Sequence, residues 1–373
     1  MTHPDIIVIG GGIAGVSAAA ELAAFARVVL LEGEPQLGYH ATGRSAAVFI
    51  RNYGNATLRA LNAVSAPLLD HPEGVSDHSL LSPRGELMIA TEDELDALEV
   101  YCAGASGIER VTPSQAVDMV PILRPDRIAA AAIEHDAQNI DVDRMLQGYA
   151  RLFKSRGGKV ITGQPVTSIT RQGDDWQMSF GDRTLTAPIV INAAGAWADQ
   201  VAALAGVAPA VIQPFRRSAA IIPAPQDHDV DHWPVVVSAS ESWYAKPDAG
   251  KLMVSPADED PVDPHDAWVD DMVLAEGLHR FEQAVTIQVT RVEHSWAGLR
   301  SFAPDRSPVV GFDAEAKGFF WLAGQGGYGV QTAPALSRLA AAVVTGTEPA
   351  LDAATLSALS PDRFQHLKKD VTK

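Results

Sequence analysis

The chain has 373 residues, of which 47% are hydrophobic and 20% charged. That length exceeds one compact core and that composition excludes a disordered protein, so we expect two domains or one elaborated domain. The net charge of −17 repels phosphate backbones and anionic lipids, which disfavours nucleic-acid or membrane binding but sets no limit on the charge of a small substrate.

The start of the chain and its cysteine content lead us to expect a cytoplasmic protein. MTHPDIIVIG has neither the basic segment nor the cleavage site of a secretion signal, and no apolar run approaches the ~20 residues of a membrane span. The single cysteine, Cys102, excludes an intramolecular disulfide and fits a reducing compartment. Its sequence neighbours supply no obvious base, so we expect it to be unreactive.

The first 33 residues predict a βαβ unit. Residues 6–9 form an apolar strand, GGGIAG follows, residues 16–26 predict an alanine-rich helix, and VVLLE predicts a second buried strand ending at Glu32. Parallel strands need such a crossover connection.

Later stretches alternate between two patterns. Residues 141–206 predict a helix that stops at Gly157, several short strands, and a buried strand that breaks at Ala194 and Gly195 into a helix. Residues 214–300 contain alternating segments separated by prolines, including TIQVTRVEHSWAG (286–298), which predict an antiparallel sheet. A strand GFFWLAG, the turn QGGYG and an alanine-rich helix over 333–344 follow. This order indicates domains interleaved along the chain.

The glycine turn after the first strand is typical of dinucleotide binding. Gly10 allows a tight turn, Gly12 lets backbone N–H groups approach a pyrophosphate, and Gly15 lets the helix pack close to the strand. Glu32 is placed for the adenosine ribose hydroxyls and disfavours a 2′-phosphate. This unit does not decide between FAD and NAD. A flavin is favoured by the N-terminal position of the turn, by GRSAA after it, and by QGGYG before a helix, although QGGYG alone could be a structural turn.

Together, GGGIAG with Glu32, GYHATGRSAA, INAAGAW, WAGLRSF and GQGGYGVQT resemble the D-amino-acid oxidase and glycine oxidase family of FAD enzymes, most nearly its D-arginine dehydrogenases. The resemblance covers nearly the whole chain. It implies an α/β fold in which a Rossmann-type FAD-binding domain (1–85, 140–213 and 301–373) is interleaved with an α+β substrate domain (86–139 and 214–300) built on an antiparallel sheet. It also implies oxidation of the Cα–N bond of an amino acid to an imine.

The resemblance implies the following FAD-binding residues: Gly10, Gly12, Ile13, Ala14, Gly15, Glu32, Thr42, Gly43, Arg44, Ser45, Ala46, Ala47, Val166, Ala194, Gly195, Gly326, Gly327, Tyr328, Gly329 and Val330. Some relatives attach FAD covalently through a histidine near position 48 or through a cysteine near the C-terminus. This chain has Val48 at the first place, and Cys102 is far from the second in sequence. We therefore expect non-covalent FAD.

A substrate site is implied by the same resemblance. Arg300 matches the arginine that clamps the substrate carboxylate, and a guanidinium suits that task because it makes two parallel hydrogen bonds. Arg217 matches a second arginine, and Tyr53 and Tyr244 match tyrosines beside the carboxylate. Gly327 matches a carbonyl that accepts from the substrate amine.

The far end of the implied site departs from the nearest group in part. Glu86 matches a carboxylate that faces a basic side chain, whereas Val48 and Ile50 replace the histidine and threonine of D-arginine dehydrogenases. The wall they form becomes apolar, so a preference for basic side chains rests mainly on Glu86.

Histidines receive no catalytic role in this interpretation. We expect His40 to be structural, and QDHDVDHW (226–233) and DEDPVDPHDAW (258–268) to be solvated acidic loops without a metal, because prolines and aspartates interrupt any helical spacing of ligands.

The expected function is FAD-dependent oxidative deamination of a D-amino acid. Hydride passes from Cα to flavin N5, the imine hydrolyses to a 2-oxo acid and ammonium, and a quinone or carrier rather than O₂ takes the electrons. Two alternatives stay open: an O₂-using oxidase of glycine, sarcosine or another secondary amine, and a protein that binds FAD without catalysis. The expected partners are a small amino-acid substrate and an unidentified electron acceptor.

Overall fold

The computed structural model describes residues 3–364, which fold into four β-sheets with helices packed around them. The helices are α1 (Ile13–Leu22), α2 (Ala56–Asp70), α3 (Leu95–Ala103), α4 (Pro113–Met119), α5 (Val142–Ser155), α6 (Ala198–Leu204), α7 (Asp271–Ala284), α8 (Gly329–Thr345) and α9 (Ala353–Leu359). The strands are β1 (Ile6–Ile9), β2 (Val28–Leu31), β3 (Val48–Phe49), β4 (Leu81–Pro83), β5 (Glu86–Ala90), β6 (Ile108–Val111), β7 (Ala130–Glu134), β8 (Gln138–Ile140), β9 (Lys159–Ile161), β10 (Val166–Gln172), β11 (Asp175–Phe180), β12 (Arg183–Ala187), β13 (Ile189–Asn192), β14 (Gln213–Ile222), β15 (Val235–Ser238), β16 (Tyr244–Asp248), β17 (Lys251–Ser255), β18 (Asp260–Pro261), β19 (His294–Phe302), β20 (Val309–Phe312) and β21 (Phe319–Ala323).

A six-stranded sheet in the order β20-β21-β13-β1-β2-β9 forms the centre of a three-layer unit. Its pairs are parallel except β20 with β21. Strands β1 and β2 are entirely apolar and buried because helices α1, α2, α5 and α8 cover one face and the β10–β12 sheet with α6 covers the other.

The glycine turn brings β1, β13 and the start of α1 into close contact. Gly10 has φ +113°, and a Cβ there would lie 2.3 Å from the carbonyl oxygen of Ala193. A Cβ at Gly15 would lie 1.9 Å from the carbonyl oxygen of Gly10. Only glycine fits at either position, and the N-terminus of α1 is thereby held at the carboxyl ends of the parallel strands.

A larger sheet runs β18-β14-β17-β16-β15-β5-β7-β6, with β19 pairing along β14. Its pairs are antiparallel except β5 with β15. One face packs on α4 and α7 through an apolar cluster that includes Phe281, and the other face borders the cavity described below. The predicted antiparallel sheet is therefore present, with one parallel pair inside it.

Several element bounds differ from the sequence predictions, and α1 ends at Leu22 rather than at 26. Helix α1 begins at Ile13 rather than 16 because Gly12 is extended (φ −73°, ψ 177°) and caps the helix directly. Helix α8 begins at Gly329 rather than 333, so QGGYG runs into its first turn. Strand β19 begins at His294 rather than 286, because residues 286–289 bond instead to Ile122 and to Glu282 of α7.

Between residues 3 and 364, no helix is long and apolar enough to cross a membrane. The predicted cytoplasmic location and the predicted domain boundaries stay predictions.

Candidate active site

A cavity of about 680 Å³ lies between the carboxyl ends of the parallel strands and the face of the larger sheet that α4 and α7 do not cover. One end is bordered by the glycine turn and Glu32, and the other by Arg300, Tyr53 and Glu86. Crevices at the carboxyl ends of parallel strands are the usual ligand sites of such sheets. Most of the residues that the sequence nominated border this cavity.

Glu32 closes the end of the cavity beside the glycine turn. Its carboxylate accepts hydrogen bonds from the backbone N–H of Gly11 (2.5 Å) and of Glu34 (2.8 Å). The backbone N–H of Ile13 donates to Oγ1 of Thr42 at 3.0 Å, which ties the start of α1 to the segment that follows β2. Glu32 therefore has a fixed position at the edge of the cavity, as a ribose-binding carboxylate requires.

The starts of two helices border the cavity, and neither N-cap residue, Gly12 for α1 or Tyr328 for α8, makes a side-chain cap hydrogen bond. The first backbone N–H groups of a helix and its dipole favour a negatively charged partner. A Cβ at Gly12 would meet Oγ1 of Thr42 at 3.3 Å, so this side of the cavity is kept open by the lack of a side chain. The residues present thus fit FAD. The placement of its pyrophosphate at the start of α1 and of the polar edge of the flavin at the start of α8 stays a prediction.

Most predicted FAD residues border the cavity, and three do not. Gly15 packs α1 against β1, a Cβ at Gly43 would lie 2.6 Å from the carbonyl oxygen of Gly38, and Tyr328 packs its ring against Tyr53 at 5.0 Å between centroids. Those that border it are Gly10, Gly12, Ile13, Ala14, Glu32, Thr42, Arg44, Ser45, Ala46, Ala47, Val166, Ala194, Gly195, Gly326, Gly327, Gly329 and Val330. Their contacts with FAD stay predictions. No cysteine borders the cavity in the described part of the chain, and non-covalent attachment likewise stays a prediction.

Arg44 and the 258–268 segment have structural roles that the sequence did not indicate. The Arg44 guanidinium pairs with Asp266 at 2.5 Å and donates to the carbonyl oxygens of Ala267 (3.1 Å) and Ala297 (3.0 Å). Asp258 is buried and accepts from the N–H (2.6 Å) and the hydroxyl (2.8 Å) of Ser218. The expectation of a solvated acidic loop was therefore wrong for Asp258, which is buried against strand β14, whereas Asp266 is exposed although it pairs with Arg44.

His40 borders the cavity near Glu32. Its Nε2 lies 2.9 Å from Oε1 of Glu34, and its ring contacts Trp197. These contacts give His40 a structural environment at the end of the cavity away from Arg300.

Arg300 and Arg217 lie on the same face of the larger sheet. In the register of β14 with β19, Arg300 is opposite Phe215 and Arg217 is opposite Gly298, which makes the two arginines diagonal neighbours. Nε of Arg217 donates to the carbonyl oxygen of Asp258 at 2.8 Å, and its Nη2 is 3.8 Å from Glu259. Burial, together with the charge of Arg300, lowers the pKa of Arg217.

Arg300 differs from Arg217 in having no salt-bridge partner among the described residues, although the charge of the more distant Glu241 helps to raise its pKa against the effect of burial. Its Nη1 donates to the hydroxyl of Tyr53 at 3.3 Å, and no carboxylate within residues 3–364 lies within 4.0 Å of it. Tyr244 borders the same end of the cavity. Burial raises the pKa of Tyr53, which keeps its hydroxyl protonated as a donor. Two guanidinium groups and two phenols therefore converge on one region, which is suited to an anion.

Gly327 packs directly on Arg300. A Cβ at this position would lie 3.0 Å from Cζ of the guanidinium, so the lack of a side chain here lets Arg300 reach its place. Gly327 also borders the cavity, as the predicted contact with a substrate amine requires.

Glu86 belongs to a buried acidic group that includes two residues absent from the sequence prediction. The hydroxyl of Tyr101 lies 2.9 Å from Glu86 and 3.3 Å from Glu134, and Glu86 is opposite Glu134 in the register of β5 with β7. Burial and the neighbouring Glu134 raise the pKa of Glu86 to about 8. Glu241, with φ 53°, also borders the cavity.

The wall between the two polar regions is apolar. Val48 and Ile50, which the sequence nominated, border the cavity together with Met88 and Val237 of the larger sheet. A site with separate polar ends and an apolar wall matches the general character of small-molecule pockets.

Asn62 and Gln331 hold the segment that carries Ile50 and Tyr53, and sequence reasoning missed both. Asn62 Nδ2 donates to the carbonyl oxygens of Ile50, Arg51 and Tyr53 at 3.2–3.3 Å, and Gln331 Nε2 donates to Asn62 Oδ1 at 2.8 Å. They lie in α2 and α8, and both are buried. In the sequence each appears only as one polar amide residue, and its burial becomes visible only in the structure.

Comparisons with known proteins agree over nearly the whole chain. Residues 5–343 match the family described as FAD dependent oxidoreductase (DAO). A relative from Bos taurus, "FAD-dependent oxidoreductase domain-containing protein 1", is 25% identical over 394 residues, covering 91% of this chain and 81% of the relative. The glycine oxidase of Geobacillus kaustophilus is 26% identical over 377 residues, covering 96% and 97%.

Solved structures give the same result for the fold. The crystal structure of glycine oxidase from Geobacillus kaustophilus has a TM-score of 0.83 at 23% identity, covering 96% of this chain and 98% of that one. L-α-glycerophosphate oxidase from Mycoplasma pneumoniae with FAD bound has a TM-score of 0.81 at 18% identity, covering 92% and 95%. These likenesses confirm the predicted mixed α/β fold.

Proposed function

The chain belongs to the DAO family of FAD-dependent oxidoreductases, and we propose that it oxidises the Cα–N bond of an α-amino acid, with D-amino acids as its substrates. Its cofactor is FAD, as predicted. The D-configuration and the narrower likeness to D-arginine dehydrogenases rest on the sequence motifs alone.

One observation carries the proposal: Arg300 borders the cavity with a phenol as its hydrogen-bond partner and no carboxylate within 4.0 Å in the described residues. A partly buried guanidinium without a salt-bridge partner favours an anionic ligand, and a carboxylate matches its two parallel N–H groups. Tyr53 supplies a further donor, and Arg217 adds positive charge from the neighbouring strand. The α-carboxylate of an amino acid therefore suits this end.

When bound, FAD supplies the acceptor for the hydride that leaves Cα. The residues of the chain have the tasks of binding and orientation. Arg300 and Tyr53 fix the carboxylate, and the carbonyl group of Gly327 is available to a substrate amine. His40, the single histidine among the described residues that border the cavity, lies beside Glu34 at the other end. We infer that the amine loses its proton to water and that catalysis rests on positioning and electrostatics.

The substrate side chain faces the apolar wall of Val48, Ile50, Met88 and Val237, and beyond it Glu86. This arrangement supports medium-sized apolar side chains and those with a polar end. The electron acceptor we propose is a quinone or a carrier.

A second candidate is supported by the likeness to glycine oxidase at 26% identity over almost the full length of both chains. In that case the substrate is glycine, sarcosine or another secondary amine, and O₂ is the acceptor. The apolar residues at 48 and 50 are compatible with an N-alkyl group as well as with a side chain.

Anaerobic bleaching of the bound flavin tests the proposal. The purified yellow protein is mixed with D-amino acids, their L-enantiomers, glycine and sarcosine, and the flavin absorbance is followed. Bleaching by D-amino acids supports the proposal, bleaching only by glycine or N-methyl amines with stoichiometric peroxide in air favours the second candidate, and no bleaching by any amine refutes both.

A further inference from the structure

The acidic end of the cavity contains two buried carboxylates that share one hydroxyl. Glu86 and Glu134 are 5% and 3% exposed and occupy opposite places on adjacent strands. The Tyr101 hydroxyl lies within hydrogen-bond distance of both, yet it carries a single proton and can donate to only one of them at a time.

The remaining hydrogen bonds distinguish the two carboxylates. Glu134 also accepts from the backbone N–H of Arg51 at 3.0 Å and from Nδ2 of Asn52 at 2.6 Å. In the described residues Glu86 has Tyr101 as its single hydrogen-bond donor, and Glu86 borders the cavity. Hydrogen bonds from N–H groups stabilise an ionised carboxylate, so the negative charge belongs on Glu134 and a proton belongs on Glu86.

No cation compensates the pair. Within residues 3–364 no Lys, Arg or His nitrogen lies within 4.0 Å of either carboxylate. The charged or titratable groups facing Glu86 are Glu134 on β7, Tyr101 on α3 and Glu241 in the β15–β16 loop, and each is acidic. Ionising both of two buried, adjacent carboxylates has a high free-energy cost when no cation is near.

We propose that Glu86 and Glu134 hold one proton between them, and that a cationic substrate side chain binds by displacing this proton. The O–H bond of Glu86 breaks, the proton passes to solvent, and the guanidinium or ammonium group of the ligand takes its place. No oxidant or reductant is involved. The inference rests on the proposed function, because it requires the ligand carboxylate to be anchored at Arg300.

The exchange makes side-chain selection depend on pH. Below the range in which Glu86 ionises, the pocket offers a neutral carboxylic acid and accepts apolar or neutral polar side chains. Above it, the pocket offers a carboxylate and prefers arginine-like or lysine-like ones. With the pKa of Glu86 at about 8, its ionised fraction rises about 50-fold between about pH 6 and pH 8.

Two ligands without an α-amine test the exchange without turnover. 5-Guanidinopentanoate carries a carboxylate and a guanidinium, and 5-ureidopentanoate is its neutral match in shape. Their dissociation constants are measured by perturbation of the flavin absorbance across this pH range, and proton release by calorimetry in two buffers of different ionisation enthalpy. We expect the affinity ratio to rise about 50-fold in favour of the guanidinium ligand between about pH 6 and pH 8, with nearly one proton released at about pH 7.

Two conservative variants assign the effect. In Glu86→Gln the pH dependence of the ratio should vanish. In Glu134→Gln it should persist but move to lower pH, because the neighbouring negative charge has been removed. A ratio independent of pH in the native protein, or binding without proton release, overturns the inference. If instead neither ligand binds, or Arg300→Met leaves both affinities unchanged, the proposed carboxylate site itself has failed.

Discussion

Replacing Arg300 with methionine removes the guanidinium while keeping much of the side-chain volume. In the ligand-free protein this guanidinium makes one hydrogen bond, to Tyr53 at 3.3 Å, and no salt bridge within residues 3–364. The free energy of unfolding should therefore fall by on the order of 1 kcal/mol, and removing a charge that has no salt-bridge partner offsets part of this loss.

The loss of binding free energy for a carboxylate ligand should be larger than the loss of folding stability. Removing one partner of a buried, hydrogen-bonded charge pair costs about 2–5 kcal/mol, which corresponds to about a 30-fold or greater increase in the dissociation constant of a carboxylate ligand. Because Arg300 bonds to Tyr53, whereas Glu32 bonds to the glycine turn, FAD affinity should change little.

The assay combines steady-state KM for amino acids, spectral titration with 5-ureidopentanoate, and the melting temperature of the FAD-loaded protein. Arg291→Met is the matched control, because this exposed arginine just before β19 pairs only with Glu293 on the surface in the described chain. An Arg300→Met protein whose KM and ligand affinity equal those of the control would refute a carboxylate role for Arg300.

Three further changes test neighbouring parts of the site. Gly327→Ala places a methyl group 3.0 Å from Cζ of Arg300, so we expect KM for amino acids to rise about tenfold in the FAD-loaded protein, and an unchanged KM would contradict this packing. Asn62→Leu removes the donor to three carbonyl groups around Tyr53, so kcat/KM of the folded, FAD-loaded protein should fall about tenfold. Asn62→Gln should restore part of this activity. A fall in activity that equals the fraction of FAD released would indicate a purely structural role. The pKa of Glu86 is about 8 when folded against 4.5 ordinarily, so the fold favours its protonated form and loses stability as pH rises through this window, at about 1.4 kcal/mol per pKa unit. Glu86→Gln should therefore raise the melting temperature relative to the native protein at about pH 9 and not at about pH 4, and an equal effect at both would contradict the assignment.

The dinucleotide half of the molecule could be predicted from local sequence. A buried apolar strand, glycines at 10, 12 and 15, and an acidic residue at the end of the next strand occur within 33 residues, and backbone sterics determine what such a run can form. The comparisons confirm the fold and the FAD cofactor that these motifs indicated.

The substrate residues were nominated only through the family resemblance. Arg300 and Tyr53 are 247 positions apart, and no periodicity relates a strand of the larger sheet to the turn before α2. The resemblance supplied their types, and the tertiary structure supplied their contact.

Local sequence determined the strands, the glycine turn and the position of Glu32, because each depends on neighbours along the chain. The tertiary structure alone decided that Glu134 stands opposite Glu86, that Asp258 is buried under Ser218, and that Asn62 holds the segment before α2. These contacts join residues that strand register and helix packing bring together. The protonation state of a buried group depends on such neighbours, so the chemistry of the Glu86–Glu134 pair could be inferred only from the folded chain.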